Sequence, residues 1–564
     1  MINILEEIIS QAFKKAGYEE NIRIIKSNRP DLCDYQCDDI FKMAKIYHQA
    51  PIEIGEKVVE EIQKLENFSN YFQEVHFVMP GFINIILSEE MINQEINNMI
   101  NENHFHLPKI EKPEIYFLDY GGPNVAKPLH VGHLRTAIIG ESIKRIIEFV
   151  GHKTISDVHL GDYGLQIGQV IYGVMEDGLT EEDITLEYLE KTYPTMSKRC
   201  KEDEVLLEKC ATITKELQDG KEEYQKLWKK IREISISDIQ RIYDYLNVSF
   251  DLWEGESDGY RYIPLVTEQL EKKELLKDSD GAKIIEIANL NDSKEMPPLI
   301  YQKRNGAYLY GTTDLAAIYE RVMEYQPNHI LYVVDARQSL HFEQVFRVCE
   351  KWGISNGITL EHLGYGTVNG TDGKPFKTRS GDTIKLDNLF SIVKEAFIQT
   401  KESNKNMSQE DLDKIVNAII KFADLQNNRE KDYIFDPLKF SNVVGKTGPY
   451  ILYTYLRINK ILKQESLTIH SLNKRIYNTF DRDLRLKLLE LPMVIENAFK
   501  EKMPNYIAEY IYDICVASNI FYQNNHITGL EENNKQQWLL LLTFTNKVLS
   551  ELLNLLAIQI PSEM

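Results

Sequence analysis

The chain has 564 residues, 65 basic and 86 acidic, for a formal net charge of −21. That is too long for one core, so roughly two to four domains are expected, and 43% hydrophobic with 10% aromatic residues excludes a disordered or fibrous chain. The acidic balance excludes nonspecific coating of polyanions, while leaving room for a locally basic face.

Residues 1–110 read as a small α/β module. The spacing of Ile4, Ile8 and Phe13 predicts a helix over 3–16. A second follows from Asp39, and Pro51 is placed to open a third, to about Leu65. Residues 72–87 read as two strands around the Pro80-Gly81 turn, and 101–113 as a polar linker. From Glu114 the pattern changes. A strand-length apolar run, 115–119, is followed by the loop GGPNVAKP and then by HVGHLRTAIIGESIKRIIEFVG, with Ile138, Ile139, Ile143, Ile146 and Ile147 on one side. Strand, loop and helix in that order open a nucleotide-binding α/β unit. Similar units are expected at 300–316 and 330–349. An insertion rich in Glu and Lys occupies about 177–255. Leu227, Ile231, Ile234, Ile239, Ile242 and Leu246 give it helical spacing, and its charges read as a solvated face. After about 385 the chain reads as helical, with Leu at three- and four-residue spacing over 484–498 and 538–556. The expected fold class is multidomain α/β. It comprises an N-terminal α/β module (1–110), a Rossmann-type parallel-sheet domain (111–385), a connecting helical region (386–440) and a helical bundle (441–564) separate from the sheet.

Six cysteines, Cys33, Cys37, Cys200, Cys210, Cys349 and Cys515, form no CxxC pair and no tight cluster with histidine. No structural zinc is expected, and a reduced, cytoplasmic setting is the simplest reading. The first twenty residues lack the apolar core of an export signal. The longest strongly apolar run, 538–542, is far too short to span a bilayer, so no membrane association is expected.

Two segments carry chemistry. His130-Val131-Gly132-His133 places two histidines at i and i+3 on the first turn of a helix that leaves a strand. Gly132 has no Cβ, which lets a ligand approach the backbone, and the helix N-terminus adds unpaired N–H groups and partial positive charge. Such a corner suits a nucleoside triphosphate attacked at its α-phosphate. Two ordinary histidines, or a metal pair, are the alternatives. The second segment, Gly373-Lys374-Pro375-Phe376-Lys377-Thr378-Arg379-Ser380-Gly381, reads as a cationic loop that closes over a triphosphate, or as a solvated surface turn. It is not a Walker A loop.

HVGH and KPFKTRSG at this separation resemble the two signatures of class I aminoacyl-tRNA synthetases. DYGGPNVAKPLHVGHLRT resembles the arginyl-tRNA synthetase family in particular, as do PGFINI, VHLGDYGLQIG, YLNVSFDLWEGES, LYGTTDLAA, GYGTVNGTDGKPFKTRSG, TGPYILYTYLR and the tail LLNLLAIQIPSEM, in the family's order. The resemblance implies an arginine–tRNA ligase that uses ATP with substrate-associated Mg²⁺, forms arginyl-adenylate and esterifies the terminal adenosine of tRNA(Arg) in the cytoplasm. A monomer is expected. It implies that His130, Gly132, His133, Lys377 and Arg379 bind ATP, and that Lys127 supplies a charge missing from the loop. Asp119, Asn124, Tyr310, Asp314 and Gln338 match positions around arginine. A guanidinium needs carboxylates and a flat surface, and Asp119, Asp314 and Tyr310 provide both. Tyr310 as a core aromatic, and Asp314 as N-cap of a helix over 315–325, are the competing readings. Phe82 and Asn84 match positions that hold a splayed tRNA base, although Phe82 also reads as core. Tyr450, Tyr453, Arg457 and Met564 are candidates for the anticodon face, which must be locally basic. Gly121-Gly122 replaces the family's usual serine pair, Thr313 its arginine and Tyr163 its tryptophan. A small-molecule nucleotidylyltransferase could share the histidine corner but needs neither flanking domain. A non-catalytic RNA-binding relative would have lost HVGH or the cationic loop.

Overall fold

The computed structural model describes the chain except residues 103, 293–294, 305, 377–383, 401–406, 474 and 528. It divides into two compact units. One comprises Met1–Pro108, Tyr453–Asn497 and Glu509–Leu552, the other Lys109–Leu452, Ala498–Ala508 and Leu553–Met564.

In the first unit, strands β1 (Ile24–Lys26), β2 (Tyr35–Cys37), β3 (Phe72–Val78) and β4 (Phe82–Leu87) form an antiparallel sheet in the order β1-β2-β4-β3. Ile83, Ile85 and Leu87 alternate onto its buried face, as period-two geometry requires. The helices Ile2–Lys15, Ile40–Tyr47 and Pro51–Gln63 lie where the sequence predicts them. The short helix Phe68–Tyr71, β1, β2 and the helix Glu89–Asn101 were not predicted. β1 and β2 are three residues each, too short to show an alternation. The helix Glu89–Asn101 is Asn-rich, but Ser88 caps it by accepting the Met91 N–H at 3.0 Å.

The helix Thr479–Leu488 joins the same unit through charge. Arg482 forks onto Asp34 at 2.8 and 2.7 Å. Arg485 and Asp481 are both 0% exposed and 2.6 Å apart. Asp481 also accepts from Trp538 Nε1 at 3.2 Å and from the Tyr477 N–H at 3.1 Å.

In the second unit, β5 (Ile115–Asp119), β6 (Lys153–Asp157), β10 (His329–Tyr332) and β11 (Thr359–His362) form a wholly parallel sheet in the order β11-β10-β5-β6. The helix Val131–Val150 connects β5 to β6 and buries all five of its predicted isoleucines. β7 (Leu276–Ser279), β8 (Ala282–Ile285) and β9 (Leu299–Gln302) make a separate antiparallel sheet. The predicted unit at 300–316 therefore does not belong to the parallel sheet, because its strand pairs with a hairpin instead. The unit at 330–349 does, with the helix Ser339–Trp352 following β10.

The insertion is helical over Leu186–Glu202, Glu204–Gln218 and Glu222–Tyr245. Leu227, Ile231, Ile239, Ile242 and Leu246 are buried and Ile234 half-buried. Its charges are mostly solvated, but Arg232 reaches inward to Asp162 at 2.8 Å. The helices Leu386–Thr400 and Gln409–Leu425 group with the sheet, as does the C-terminal tail. Lys421 is 0% exposed and donates to the carbonyls of Leu246 and Ala557. Ser142 donates to the Leu555 carbonyl at 2.9 Å.

Removing one partner of a buried ion pair strands the other charge. Asp481→Ala is therefore expected to cost the first unit about 3–5 kcal/mol, read as a lowered urea midpoint. A midpoint unchanged from the unaltered chain would show that Arg485 is satisfied without it.

Candidate functional site

Two features lie beyond the carboxyl ends of the parallel strands, the usual place for ligands in open α/β sheets. The first is the histidine turn. His130 is the N-cap of the helix Val131–Val150. Its Nδ1 accepts the Gly132 N–H at 3.1 Å, and His133 Nδ1 accepts the His130 N–H at 3.1 Å. A backbone N–H can only donate, so in both neutral rings the proton sits on Nε2. The rings stack with centroids 4.0 Å apart. Burial, then Lys127, pulls the His130 pKa down to about 4. Burial, then His130 and Lys127, holds His133 well below the usual histidine range. Both rings are thus neutral donors at neutral pH. Lys127 is half-buried, and burial lowers its own pKa.

Gly132 has a second reason beside the one the sequence suggested. A Cβ there would stand 2.8 Å from His130 Cε1, so the glycine also makes room for the folded-back imidazole. Beside the turn lies a cleft of about 320 Å³, lined by His130, Gly132, Arg337, Thr367 and Phe376 among others. Two short strands, β12 (Val368–Asn369) and β13 (Tyr433–Ile434), pair in parallel at its edge. The chain then turns back, with Phe376 N donating to the Val368 carbonyl at 3.1 Å, and heads toward the cationic loop. Lys377 and Arg379 lie outside the described residues.

The second feature is a cluster of carboxylates. Asp119 and Asp157 end β5 and β6 in register. Between them lies Arg321, 2% exposed, whose Nη2 is 2.7 Å from Asp119 and 3.2 Å from Asp157. The sequence reading gave Asp119 to an external guanidinium. An internal one holds it instead. His159, at a φ of 44°, stands 3.2 Å from the same Nη2. Burial pulls its pKa down, but Asp157 and Asp119 outweigh burial and lift it to about 9.

Asp314 lies in the second turn of the helix Tyr310–Tyr325, whose N-cap is Leu309. The helix starts five residues before the predicted one, so Asp314 is not its cap. Its Oδ2 meets His341 Nε2 at 2.5 Å. Tyr310 opens that helix and is 66% exposed, which excludes the core-aromatic reading. Asn124 packs against the Gly161 backbone, with Oδ1 2.0 Å from where a Cβ on Gly161 would sit. Gln338 is exposed at the end of the turn Ala336–Gln338.

Sequence reasoning missed Glu256, His159 and His341. Glu256 is half-buried at the start of the short helix Glu256–Gly259. Burial raises its pKa to about 7, Asp162 and Asp314 adding to the rise and His159 opposing it. Burial raises the Tyr310 pKa, with the charges of Glu256 and Asp314 adding to the rise. WEGES offered a signal, but nothing in its spacing separates Glu256 from Glu254, which only accepts from Tyr325 at 2.8 Å. Of the departures from the family pattern, Gly121 and Gly122 take φ of 97° and 42°, where glycine is favoured. Thr313 donates to the Tyr310 carbonyl at 2.9 Å, and the Tyr163 hydroxyl to the Leu217 carbonyl at 3.3 Å.

The RNA candidates are more dispersed. Phe82 is half-buried and meets Phe41 edge-on at 5.6 Å. Asn84 is only 3% exposed, and its Oδ1 accepts from Gln36 Nε2 at 2.8 Å. Tyr453 is 48% exposed in the first unit, where Arg457 lies 4.0 Å over the Tyr522 ring. Tyr450 and Met564 fall in the second unit. Among the described residues, no group of three or more His, Cys, Asp or Glu could hold a metal ion.

Comparison with known proteins agrees along the whole chain. A family model described as tRNA synthetases class I (R), catalytic domain, matches residues 95–437. An arginyl tRNA synthetase N terminal domain matches 3–87, and a DALR anticodon binding domain matches 451–564. The arginine–tRNA ligase of Alkaliphilus oremlandii is 40% identical, covering 100% of both chains. That of Francisella tularensis subsp. novicida is 37% identical over 100% of this chain and 99% of its own. The solved arginyl-tRNA synthetase of Plasmodium falciparum is 27% identical with a TM-score of 0.83, covering 100% of this chain and 99% of that one. The Thermus thermophilus structure shares the fold at 21% identity, with a TM-score of 0.83 over 100% of both chains.

The depressed histidines set a pH dependence. A group whose folded pKa lies below its unfolded value contributes stability that is present above the unfolded pKa and lost as pH falls. For His130 that window runs from 6.5 down to about 4. The urea midpoint of the second unit is expected to fall across it, and to fall less steeply in a His130→Gln, His133→Gln variant. Parallel pH profiles would show that these rings protonate freely in the fold.

Proposed function

The chain belongs to the arginyl-tRNA synthetase family, and on that premise we propose how its residues carry out the work of an arginine–tRNA ligase. The enzyme joins arginine to tRNA(Arg) at the cost of ATP. In the first step the arginine carboxylate attacks the α-phosphorus and pyrophosphate leaves. In the second, a hydroxyl of the terminal adenosine of the tRNA, the 2′-hydroxyl by class resemblance, attacks the carbonyl of arginyl-adenylate and loses its proton, and AMP leaves. The protein supplies position and charge rather than covalent chemistry.

The observation that carries this reading is the histidine turn, whose two neutral rings keep their Nε2–H donors outward beside a cleft. His130 and His133 would donate to phosphate oxygens as negative charge develops, with Lys127 beside them. Mg²⁺ would arrive with the triphosphate as part of the substrate. Lys377 and Arg379 would close from the cationic loop. Asp314 and Glu256 would receive the guanidinium, with Tyr310 as its flat wall, because Asp119 is already held by Arg321. Asn124 and Gln338 would hold the α-amino and carboxyl ends. A neutral side chain of similar shape would leave Asp314 to His341 alone and Glu256 without a cation.

For RNA, Phe82 would stack a base in the N-terminal module, and Asn84 would act through its one remaining amide group. Tyr450, Tyr453, Arg457 and Met564 would contribute to tRNA binding from the C-terminal part. A cytoplasmic monomer completes the reading, where arginine, ATP and tRNA are at hand. No described helix is long and apolar enough to cross a membrane.

Two measurements test the pocket. Free Glu256 titrates near 7. A bound guanidinium would draw it back to carboxylate, so arginine binding is expected to release protons at pH 7. Affinity should weaken by up to about tenfold per pH unit below that point. Calorimetry in buffers of different ionisation enthalpy reads the proton directly, and Glu256→Gln should abolish it. Proton release that persists in that variant would point to another group.

Asp314→Asn keeps the shape and removes the charge. It is expected to lower kcat/KM for arginine by about 10- to 100-fold, roughly 1.5–3 kcal/mol. ATP–pyrophosphate exchange provides the measurement. Kinetics equal to the unaltered enzyme would leave Asp314 as a partner of His341 alone.

A further inference from the structure

Two residues beyond His133, the same helix carries Arg135, 1% exposed and yet at the wall of the cleft beside the histidine turn. A charged side chain at that depth is costly unless its donors are met, and among the described residues Nη2 alone of its nitrogens finds no hydrogen-bond partner. Its Nε lies 3.0 and 3.3 Å from the two carboxylate oxygens of Asp424. Its Nη1 donates to the Gly366 carbonyl at 2.7 Å and to the Lys431 carbonyl at 3.1 Å. The guanidinium lies over two rings, with centroids 5.3 Å away at Tyr433 and 5.8 Å at Tyr365.

The two accepting carbonyls belong to the segments that lead into β12 and β13. Those segments touch backbone to backbone: a Cβ on Gly366 would stand 2.6 Å from the Lys431 carbonyl carbon. They are cross-linked by Gly366 N to the Arg429 carbonyl at 3.0 Å, Thr367 N to Asp432 Oδ1 at 2.6 Å and Tyr433 N to the Thr367 carbonyl at 3.1 Å. The chain leaves this root through residues 370–376 for the cationic loop. One planar fork therefore ties the histidine helix to the root of that loop. A lysine offers one point of contact, where the guanidinium holds three acceptors in fixed geometry.

We propose that Arg135 is a positioning residue for arginine activation, holding the root of the cationic loop at a set distance from His130 and His133. The proposal rests on the reading of this corner as the ATP site. Its expected mark is on the rate of adenylate formation and not on arginine affinity, because none of Arg135's partners belongs to the carboxylate pocket. A misplacement of reacting groups by about 1 Å costs on the order of 100-fold in rate.

The test is ATP–pyrophosphate exchange by Arg135→Lys, normalised to active sites by the burst of adenylate. The expected result is a fall in kcat of about 10- to 100-fold, with KM for arginine within about twofold. A kcat within about twofold of the unaltered enzyme overturns the proposal, as does an equal worsening of kcat and KM for arginine. Asp432→Ala loosens the same root from its solvent side. It is expected to lower kcat by about 3- to 10-fold without moving the melting curve, and it decides the matter alone if Arg135→Lys does not fold; an unchanged kcat overturns the proposal. His133→Ala is assayed alongside. If it exchanges normally, the reading of the corner as the ATP site falls and the proposal with it. If it collapses while Arg135→Lys is normal, only the proposal falls.

Discussion

Arg321 is the interaction around which the sheet edge is organised. Asp119 and Asp157 end adjacent parallel strands in register, which sets two carboxylates side by side in a buried place. Like charges at that depth cannot both stay ionised without a cation. Arg321 supplies it, and its guanidinium also lies 4.7 Å over the Phe117 ring and donates to Tyr332 at 3.1 Å. The strand ends are thereby fixed and largely neutralised. The carboxylates left for a ligand are those on the helices and loops above, Asp314 and Glu256. In the proposed reading, arginine would be recognised above an arginine that is already in place.

This division explains what the sequence conceals. Asp119 looks like a ligand-facing carboxylate because it ends an apolar strand, and nothing local reveals that Arg321 occupies it. The pair is 202 residues apart, and Arg135 and Asp424 are 289 apart. A charged residue in a helical pattern reads by default as part of a solvated face. That default fits most of the insertion and fails at Arg232, Arg135 and Arg321, where the partner is supplied by distant chain. The histidine turn was legible because all its parts lie within four residues of a strand–loop–helix junction. The second purpose of Gly132 was not, since it depends on the rotamer of His130. Asp314 misled because Leu315 begins the visible apolar pattern, while the helix had already started in the polar stretch Tyr310-Gly-Thr-Thr. The isoleucine face of the helix Val131–Val150 and the β3–β4 hairpin were legible, because each is long enough to display its period.

Both units add buried cations to buried hydrocarbon at places where sequence-distant segments meet. In the first, Arg485 and Asp481 join a late helix to the early module through Asn93. In the second, Lys421 extends the same device to the C-terminal tail. Such contacts are directional, so they fix one register where apolar packing would tolerate several. Their weakness is the mirror of that virtue, since a lost partner leaves a charge with nowhere to go.

The tautomers of the histidine pair carry a consequence for ions that compete with the substrate. Zinc, copper and nickel bind imidazole through a bare nitrogen lone pair. Here the Nδ1 lone pairs of His130 and His133 are already taken by backbone N–H groups, and the outward nitrogens carry protons. A metal at Nε2 would force each proton onto Nδ1, against the N–H group that faces it, and so cost the turn both side-chain caps. The pair is in this way set to donate to acceptor oxygens, and metal binding is disfavoured with no residue set aside for it.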